Sequence, residues 1–117
     1  MIFALADHIE QIKAGTKTQT RRPTGRYEVG KTYAIQPGRG KKAISEGRIL
    51  ITHKWIEGHW QTIHLIDAEA EGGYTPEEYE ALYSKMYPDW AGRWCYAFKF
   101  IPSPSQESQQ LRKEVEK

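Results

Sequence analysis

A capped helix followed directly by an alternating strand constrains the fold of this chain most. Thr75 can cap a helix, Pro76 suits its first turn, and Glu78 completes a capping box. Apolar side chains then recur at helical spacing up to Pro88. Over residues 94–100, aromatic side chains instead occupy every second position, which is the period of a β-strand. A chain of 117 residues forms one domain, so this helix and this strand must share a core.

The N-terminal segment predicts a strand followed by a short helix. Residues 1–5 are an apolar run of strand length. Asp7 suits a helix cap, Glu10 stands where it can complete a capping box, and Gly15 stands where a glycine commonly ends a helix. We therefore predict a short helix that leads directly into the polar segment at residues 15–23.

Apolar alternation predicts further strands. They lie at residues 32–36, 48–55 and 61–66. In the second of these, Ile49, Ile51 and Trp55 are expected to share one face, and residues 57–59 to form the hairpin connection to the third. Two helices and about five or six strands with short connections indicate an α+β domain on a small mixed sheet or barrel. The predicted domain is residues 1–101, and the polar residues 102–117 are expected to be a disordered tail or a frayed helix.

Charge is distributed unevenly along the chain, although its net value is only +2. Residues 11–54 carry eleven Lys and Arg against two acids, whereas residues 55–101 carry eight acids against three bases. A basic half is typical of proteins that bind a polyanion such as RNA. The alternative is a solvated surface on which charges happen to cluster.

The cysteine, histidine and hydropathy patterns argue against several classes of protein. Cys95 is the one cysteine and lies in an apolar run, so we interpret it as a buried hydrophobe. The four histidines follow no metal-binding spacing, and we expect no metal and no other cofactor. No apolar run approaches the ~20 residues that span a bilayer, and no secretory signal is recognised. We expect a cytoplasmic monomer with no membrane partner.

The polar segment at residues 15–23 is the candidate functional motif. Lys17 and Thr20 are three residues apart, so in a strand their side chains would point to opposite faces, and they converge only in a turn-like segment. If they converge in a desolvated cleft, burial lowers the pKa of the lysine and lets it accept the proton of the threonine hydroxyl. The alternative is that Lys17, Arg21 and Arg22 contact phosphates and that the threonines are ordinary strand residues.

Two other segments hold candidate site residues. Catalysis by Lys17 and Thr20 would also use a carboxylate, and Glu71, with Glu69 as the fallback, is the candidate because both precede the capped helix. In residues 36–42, two glycines expose backbone N–H groups and three cations supply charge, a combination that suits a phosphodiester. The candidate binding residues there are Gln36, Arg39, Lys41 and Lys42.

The order of these motifs resembles the ASCH domain family of the PUA-like superfamily. The resemblance rests on an apolar strand, a short helix, the spacing Gly15-x-Lys17-x-x-Thr20-x-Arg22, and a glycine–lysine turn into a strand. It covers roughly residues 2–101. The family motif often has an acid at the position of Thr20, and the threonine form is similar to the bacterial N4-acetylcytidine amidohydrolase branch.

The resemblance implies a fold, a substrate class and roles for individual residues. The fold would be a small PUA-like β-barrel of five or six strands with two short helices. Lys17 would be the base or activator, Thr20 the nucleophile, and a glutamate before the second helix, here Glu71, the third member. Other ASCH-like proteins are thought to bind RNA, and ribonuclease activity has been suggested for some.

Three functions therefore stay open. The first is an amidohydrolase acting on N4-acylated cytidine, in which either Thr20 or a water held between Lys17 and Glu71 attacks the acyl carbon, and Arg22 orients the substrate or neutralises the developing oxyanion. The second is an RNA-binding module without chemistry that uses the same cations. The third is RNA cleavage, which the lack of a histidine near the motif disfavours.

Overall fold

Three helices and four strands form in the part of the chain that the structure describes. The structure is a computed structural model, and it describes residues 1–40, 47–59 and 61–102. In chain order the elements are α1 (Ala6–Ala14), β1 (Gln19–Arg22), β2 (Thr32–Ala34), β3 (Gly47–Gly58), α2 (Leu65–Gly72), α3 (Pro76–Met86) and β4 (Gly92–Pro102). No helix in these ranges is long and apolar enough to cross a membrane. The predicted tail lies outside the described residues, apart from Pro102.

The four strands form one antiparallel sheet in the order β1-β4-β3-β2. The two long strands β3 and β4 pair along their whole length, and the short strands β1 and β2 lie at the two edges. The N-terminal strand predicted at residues 1–5 is only a parallel bridge between Ile2 and Gln36. The α+β class is confirmed. Over the described ranges the sheet has four strands and is open, so the closed barrel is not confirmed.

The predicted strand at residues 61–66 is wrong, and helix α2 begins within it. A short apolar run does not distinguish a strand from a helix by spacing alone. The helix is favoured by the alanines and glutamates of residues 68–71, which have high helix propensity. Gly73 then ends α2 with a φ of 81°. The hairpin predicted at residues 57–59 is wrong as well, because β3 pairs with β4 instead.

A β-bulge in β3 changes the face that later side chains occupy. The register shifts between Ile51 and His53, so Thr52 is the additional residue. Ile49 and Ile51 are buried in the core, but Trp55 lies on the opposite face of the sheet. The prediction that these three side chains share one face is therefore wrong, because an alternating sequence pattern does not reveal an inserted residue.

The predicted helix caps have different outcomes. Thr75 Oγ1 accepts a hydrogen bond from the backbone N–H of Glu78, and the Glu78 side chain accepts one from the backbone of Thr75, which confirms the capping box of α3. Helix α1 begins earlier than predicted and its N-cap is Leu5, so the box expected from Asp7 is wrong. Gly15 does end α1, with a φ of 82°.

Two apolar clusters form the core, and buried charges contact both. The first cluster packs against one face of the sheet and includes Ile12, Ile49, Ile51, Tyr96 and Phe98. The second joins α2 to α3 and consists of Ile63, Ala68, Tyr79 and Tyr83. Lys17 Nζ lies 6.0 Å from the ring centroid of Phe3 in the first cluster, and the guanidinium of Arg93 lies 4.9 Å from that of Tyr83 in the second. The site described next lies where these buried charges meet the core.

Candidate functional site

One cavity brings the predicted motif together with the N-terminal segment and helix α3. We call it the motif cavity, and its volume is about 170 Å³. Its polar lining consists of His8, Lys17, Thr20, Arg21, Arg22 and Glu71. Its apolar and aromatic lining consists of Ile2, Phe3, Ala4, Leu5, Tyr79, Leu82, Met86 and Tyr87. Five of the predicted site residues therefore border the same space.

Lys17 is a buried lysine whose ammonium donors are directed at protein oxygens. It lies after the end of α1 and before the start of β1, in the non-strand conformation that convergence with Thr20 requires. Its Nζ donates to the backbone oxygens of Gln19 at 2.9 Å and of Glu71 at 2.5 Å, and to Glu71 Oε1 at 3.2 Å. These contacts account for all three ammonium protons. Burial lowers the pKa of Lys17, and the charge of Glu71 offsets only part of this effect.

Glu71 lies at the end of α2 and is 2% exposed. Helix α2 is tied to the motif because the backbone N–H of Thr18 donates to the carbonyl of Ala70 at 2.8 Å. Each carboxylate oxygen of Glu71 faces a different cation, since Oε1 accepts from Lys17 and Oε2 from Arg21 Nη1 at 2.9 Å. Burial opposes ionisation, but these two cations outweigh it and hold the pKa of Glu71 below its ordinary value. Glu71 is therefore an ionised carboxylate at the wall of the motif cavity.

A chain of ion pairs continues from Glu71 across the sheet. Arg21 donates to Glu57 through Nε at 3.0 Å and Nη2 at 2.8 Å, and Arg93 Nε donates to the same carboxylate at 2.9 Å. Arg93 Nη2 in turn donates to Glu80 on α3 at 2.5 Å. Burial raises the pKa of Glu57, but Arg21 and Arg93 outweigh it and lower that pKa to about 2. We call Lys17, Glu71, Arg21, Glu57, Arg93 and Glu80 the ion-pair chain.

Thr20 and Arg22 form the other polar edge of the motif cavity. Thr20 is 4% exposed, and its Oγ1 accepts a hydrogen bond from Arg22 Nε at 3.2 Å. Arg22 Nη2 donates to the carbonyl of Ile2 at 2.6 Å, and its guanidinium lies 4.9 Å from the ring centroid of Phe3. Among the described residues no carboxylate pairs with Arg22, so this side chain contributes uncompensated positive charge to the cavity.

His8 is a cavity residue that the sequence did not reveal. It lies on α1, and its Nε2 is 2.7 Å from Tyr74 Oη. Burial and the nearby charge of Lys17 lower the pKa of His8 to about 4, so the ring is neutral at physiological pH. The helix α1 folds His8 back toward the motif. A histidine therefore borders the same cavity as Lys17, and the lack of a histidine near the motif in the sequence is a poor argument against RNA cleavage.

The other predicted site residues lie away from the motif cavity or outside the described residues. Gln36 is half-buried and uses its backbone to pair with Met1 and Phe3. Arg39 is exposed in the turn that follows, and Glu69 is exposed on α2. Lys41 and Lys42 lie outside the described residues. The structure therefore brings Glu71, and not the fallback Glu69, to Lys17.

Glu57 was missed because residues 57–59 were predicted to be a hairpin connection, and Arg93 because it directly precedes the predicted strand at residues 94–100. One signal was available, since both stand at the ends of long apolar strands, where an unpaired charge would be costly to bury. Asp67 was missed too, and its Oδ1 accepts a hydrogen bond from Gln19 Nε2 at 2.9 Å. These residues surround Arg21 and give the site its electrostatic support.

The arrangement suits acid–base and electrostatic chemistry at a small, mostly apolar cavity. The cavity is bordered by the hydroxyl of Thr20 and by the ion pair of Lys17, whose pKa is lowered, with Glu71. It is also bordered by the neutral imidazole of His8 and the uncompensated guanidinium of Arg22. In the ranges that the structure describes, no set of His, Cys, Asp and Glu side chains is grouped to hold a metal ion.

The fold has relatives among solved structures, although no family model and no curated protein sequence matches the chain. The crystal structure of a DUF984 protein from Enterococcus faecalis V583 aligns with a TM-score of 0.64 at 17% identity, over 86% of this chain and 70% of that one. The crystal structure of an ASCH domain from Lactobacillus crispatus JV V101 aligns with a TM-score of 0.60 at 16% identity, over 81% of this chain and 70% of that one. The chain has an ASCH-type fold. At 16–17% sequence identity the structural similarity establishes the fold alone, so the activity must be argued from the site.

Proposed function

We propose that this ASCH-type domain binds a modified cytidine in the motif cavity and hydrolyses the amide of an N4-acetylcytidine-type substrate. The observation that carries the proposal is that Lys17, Thr20 and Glu71 line one cavity. These are the residue types and positions that the resemblance to the N4-acetylcytidine amidohydrolase branch implies. Their convergence supports a common role that their spacing in the sequence left open.

The size and lining of the cavity suit a pyrimidine base. An engineered protein cavity of ~150 Å³ holds one benzene ring, and the motif cavity has about 170 Å³. Phe3, Tyr79 and Tyr87 line the cavity, and the half-buried Tyr87 supplies aromatic surface on which a base can stack. The polar groups come from α1, from the motif at residues 17–22 and from the end of α2, and in the proposed complex the N4 substituent of the base faces Thr20.

The proposed reaction proceeds through an acyl-enzyme. Lys17 first releases one proton to water; Thr20 Oγ1 then forms a bond to the acyl carbon while the hydroxyl proton passes to Lys17. The bond from the acyl carbon to N4 then breaks, N4 receives the proton, and cytidine leaves. Water hydrolyses the threonine ester and releases acetate. Burial of Lys17 lowers its pKa in the direction that this role requires. In the variant of this mechanism without an acyl-enzyme, a water between Lys17 and Glu71 attacks instead.

Arg22 is suited to stabilise the negative charge that develops on the acyl oxygen. It borders the cavity beside Thr20, and its described partners are uncharged oxygens. A preorganised cation in a site of low dielectric is worth more than the same cation in water. Removal of one such donor typically lowers kcat by roughly 10²- to 10³-fold.

Incubation of the purified protein with N4-acetylcytidine, followed by chromatography of the products, tests the proposal. We expect wild type to release cytidine and acetate, Thr20→Ala and Lys17→Ala to release none above background, and Thr20→Ser to retain turnover. Thr18→Ala is the matched control, because Thr18 is exposed two residues away. Absence of cytidine from the wild-type reaction, or equal turnover by Thr20→Ala, would overturn the hydrolase assignment.

A second candidate function is RNA binding without chemistry. Two observations favour it: all three ammonium protons of Lys17 are already donated, and Arg22 is a cation without a carboxylate partner among the described residues. The affinity of binding that involves phosphates falls linearly with salt on a log–log scale, by a slope of roughly 0.7 per neutralised phosphate for single strands and roughly 0.9 for a duplex. Arg22→Gln should therefore reduce that slope by about one, whereas Lys31→Gln, which removes an exposed cation paired with Glu28, should leave it unchanged.

Fluorescence anisotropy with short single- and double-stranded RNA over a salt series makes this measurement. Undetectable or salt-independent binding would exclude the RNA-binding module. The same labelled RNA, analysed on a gel after incubation with wild type and with Lys17→Ala, tests cleavage. Cleavage that persists in Lys17→Ala would be attributed to a contaminating nuclease.

A further inference from the structure

Arg21 is an arginine that uses four of its five N–H donors within the protein. It is 3% exposed, and a guanidinium offers five N–H donors. Glu57 receives bonds from Nε and Nη2, and Nη1 donates to Glu71 at 2.9 Å and to the side chain of Gln19 at 3.0 Å. Asp67 Oδ2 lies 3.8 Å from Nη2. Arg21 borders the motif cavity, but these donors are directed at protein oxygens, and one of them fixes Glu71.

Glu57 is itself fixed from two sides. Its two oxygens receive the planar guanidinium of Arg21 in parallel, and Oε1 also accepts from Arg93. Arg93 is fully buried, lies 4.5 Å from the ring centroid of Trp90, and is held by Glu80 on α3. The Glu57 carboxylate has little freedom to turn, so the guanidinium that it holds has little freedom either.

We propose that Glu57 and Arg21 are positioning residues: Glu57 fixes the guanidinium of Arg21, and Arg21 together with Lys17 fixes the Glu71 carboxylate at the wall of the motif cavity. The expected effect of this positioning on turnover rests on the proposed function, whereas its expected effect on the pKa of Glu71 does not. A purely stabilising role is a poor explanation, since buried ion pairs often add little stability compared with apolar side chains of similar volume. Arg21 also donates to two carboxylates at once through its planar guanidinium, a geometry that lysine does not offer.

The charge state of Glu71 is a direct measure of this positioning. Lys17 before β1 and Arg21 on β1 contact it directly, and its charge in turn affects the pKa of the groups around it. These groups are His8 on α1, Tyr74 after α2, Tyr79 and Tyr83 on α3, and Cys95 on β4. Lys17 and Arg21 supply the positive charges that lower the pKa of Glu71. If Arg21 lost its hold on Glu57, Asp67 would be the nearest alternative carboxylate, and it lies closer to solvent. Movement of the guanidinium toward Asp67 would withdraw it from Glu71.

Glu57→Gln distinguishes positioning from a simple effect of charge at a distance. Removing a negative charge near Glu71 favours its ionised form, so a through-space effect alone would lower the pKa of Glu71. Loss of positioning would raise it, because the cation at 2.9 Å from Oε2 would move away. Carboxyl ¹³C chemical shifts of the free protein, titrated with acid, measure the direction. An unchanged or lowered pKa of Glu71 in Glu57→Gln would overturn the proposal.

Arg21→Lys is the second variant, and it keeps the charge while removing the fork. We expect the same upward shift of the Glu71 pKa as in Glu57→Gln. Glu28→Gln is the matched control, since Glu28 is an exposed acid paired with Lys31 and the titration of Glu71 should not change. Circular dichroism and urea denaturation check that each variant is folded. If Glu57→Gln fails to fold, Arg21→Lys decides, and a Glu71 pKa equal to that of wild type contradicts positioning.

Turnover of N4-acetylcytidine supplies the second readout. Substitution of residues that orient metal ligands typically lowers metal affinity or activity by roughly 10- to 100-fold, and we expect an effect of the same order for residues that orient Glu71. We expect Glu57→Gln and Arg21→Lys to lower kcat by this factor with KM within about threefold of wild type, because Glu57 does not line the motif cavity and the donors of Arg21 are directed at protein oxygens. A rise in KM at unchanged kcat would make Arg21 a substrate contact and overturn the proposal. If wild type shows no turnover but Glu71 shifts upward in both variants, the proposed function fails and the positioning stands.

Discussion

Glu71 is the residue on which the electrostatics of the motif cavity depend. Its carboxylate faces one cation from the segment before β1 and another from β1 itself, and the residue is almost fully buried. Charges in such a place are strongly coupled, because little water is present to screen them. Loss of the carboxylate would leave both Lys17 and Arg21 without one of their compensating charges.

Glu71→Gln should therefore destabilise the protein strongly. Removing one partner of a buried ion pair typically costs about 3–5 kcal/mol of the free energy of unfolding. The measurement is urea denaturation followed by circular dichroism. Glu69→Gln is the matched control, because it makes the same change at an exposed position of the same helix and should shift stability by less than about 0.5 kcal/mol. Equal destabilisation by both substitutions would contradict the burial argument.

His8 should stay neutral until the solution is distinctly acidic. Its pKa is lowered to about 4 by burial and by the charge of Lys17. Since folding favours the neutral ring, the stability that His8 contributes is complete above about pH 6.5 and is lost as the pH falls toward 4. NMR titration of the imidazole resonances measures this pKa, and Lys17→Met should raise it because a positive neighbour is removed.

Lys13→Met is the control for that titration. It removes a cation from the same helix, but Lys13 is not among the charges that influence His8. An equal shift in both variants would mean that the net charge of the protein, rather than Lys17, sets the pKa of His8.

Individual site residues were predictable from the sequence to different degrees. Lys17 and Thr20 could be named because a cluster of cations and hydroxyls after a helix is too polar for a core. Glu57 and His8 could not, because their relation to the site arises from strand pairing and from the direction of α1. Such relations join segments far apart in the chain, and spacing within one segment contains no information about them.

Helix α2 is the element whose prediction most affected the site. A strand at residues 61–66 followed by a loop would have left Glu71 exposed, whereas the helix places it against β1. Apolar residues there are too few to define a period. The helix is instead favoured by the helix propensity of residues 68–71 and ended by Gly73. The bulge at Thr52 was equally hidden from the sequence, although it decides that Trp55 packs near Arg21, 5.7 Å from its guanidinium to the ring centroid.

Helix α3 was predictable because its start is specified locally. The capping box joins Thr75 and Glu78 through two hydrogen bonds. Thr75→Ala should cost about 1 kcal/mol of the free energy of unfolding, since it removes the acceptor of the Glu78 N–H. Thr62→Ala, at an exposed position outside the helices and strands, should be close to neutral in the same urea denaturation experiment. A neutral Thr75→Ala would mean that the cap forms but does not stabilise α3.

At the scale of the whole molecule, the uneven charge of the sequence is partly explained by internal pairing. Lys17 and Arg21 come from the basic half of the chain, and Glu57 and Glu71 from the acidic half. The basic excess of residues 11–54 predicts a surface for a polyanion. Part of it instead compensates buried acids, so fewer cations are available to a nucleic acid than the sequence suggests.

The ion-pair chain crosses five elements, and its members are strongly interdependent. The substitutions Lys17→Met, Arg21→Met, Glu57→Leu and Glu71→Leu together remove two charges of each sign and leave Arg93 paired with Glu80. Apolar replacement of a complete buried ion cluster is often neutral or stabilising by about 1–4 kcal/mol. We therefore expect the quadruple variant to unfold at a higher urea concentration than the single variant Glu71→Gln.

The quadruple variant should also lose all turnover of N4-acetylcytidine, because the lysine and the carboxylate of the proposed mechanism are gone. Stability would then be retained while function is lost, which separates the two roles of the buried charges. Urea denaturation and the chromatographic assay, applied to the same preparation, make both measurements. A quadruple variant less stable than Glu71→Gln would mean that these charges stabilise the ASCH-type fold, and that their main role in the core is structural rather than catalytic.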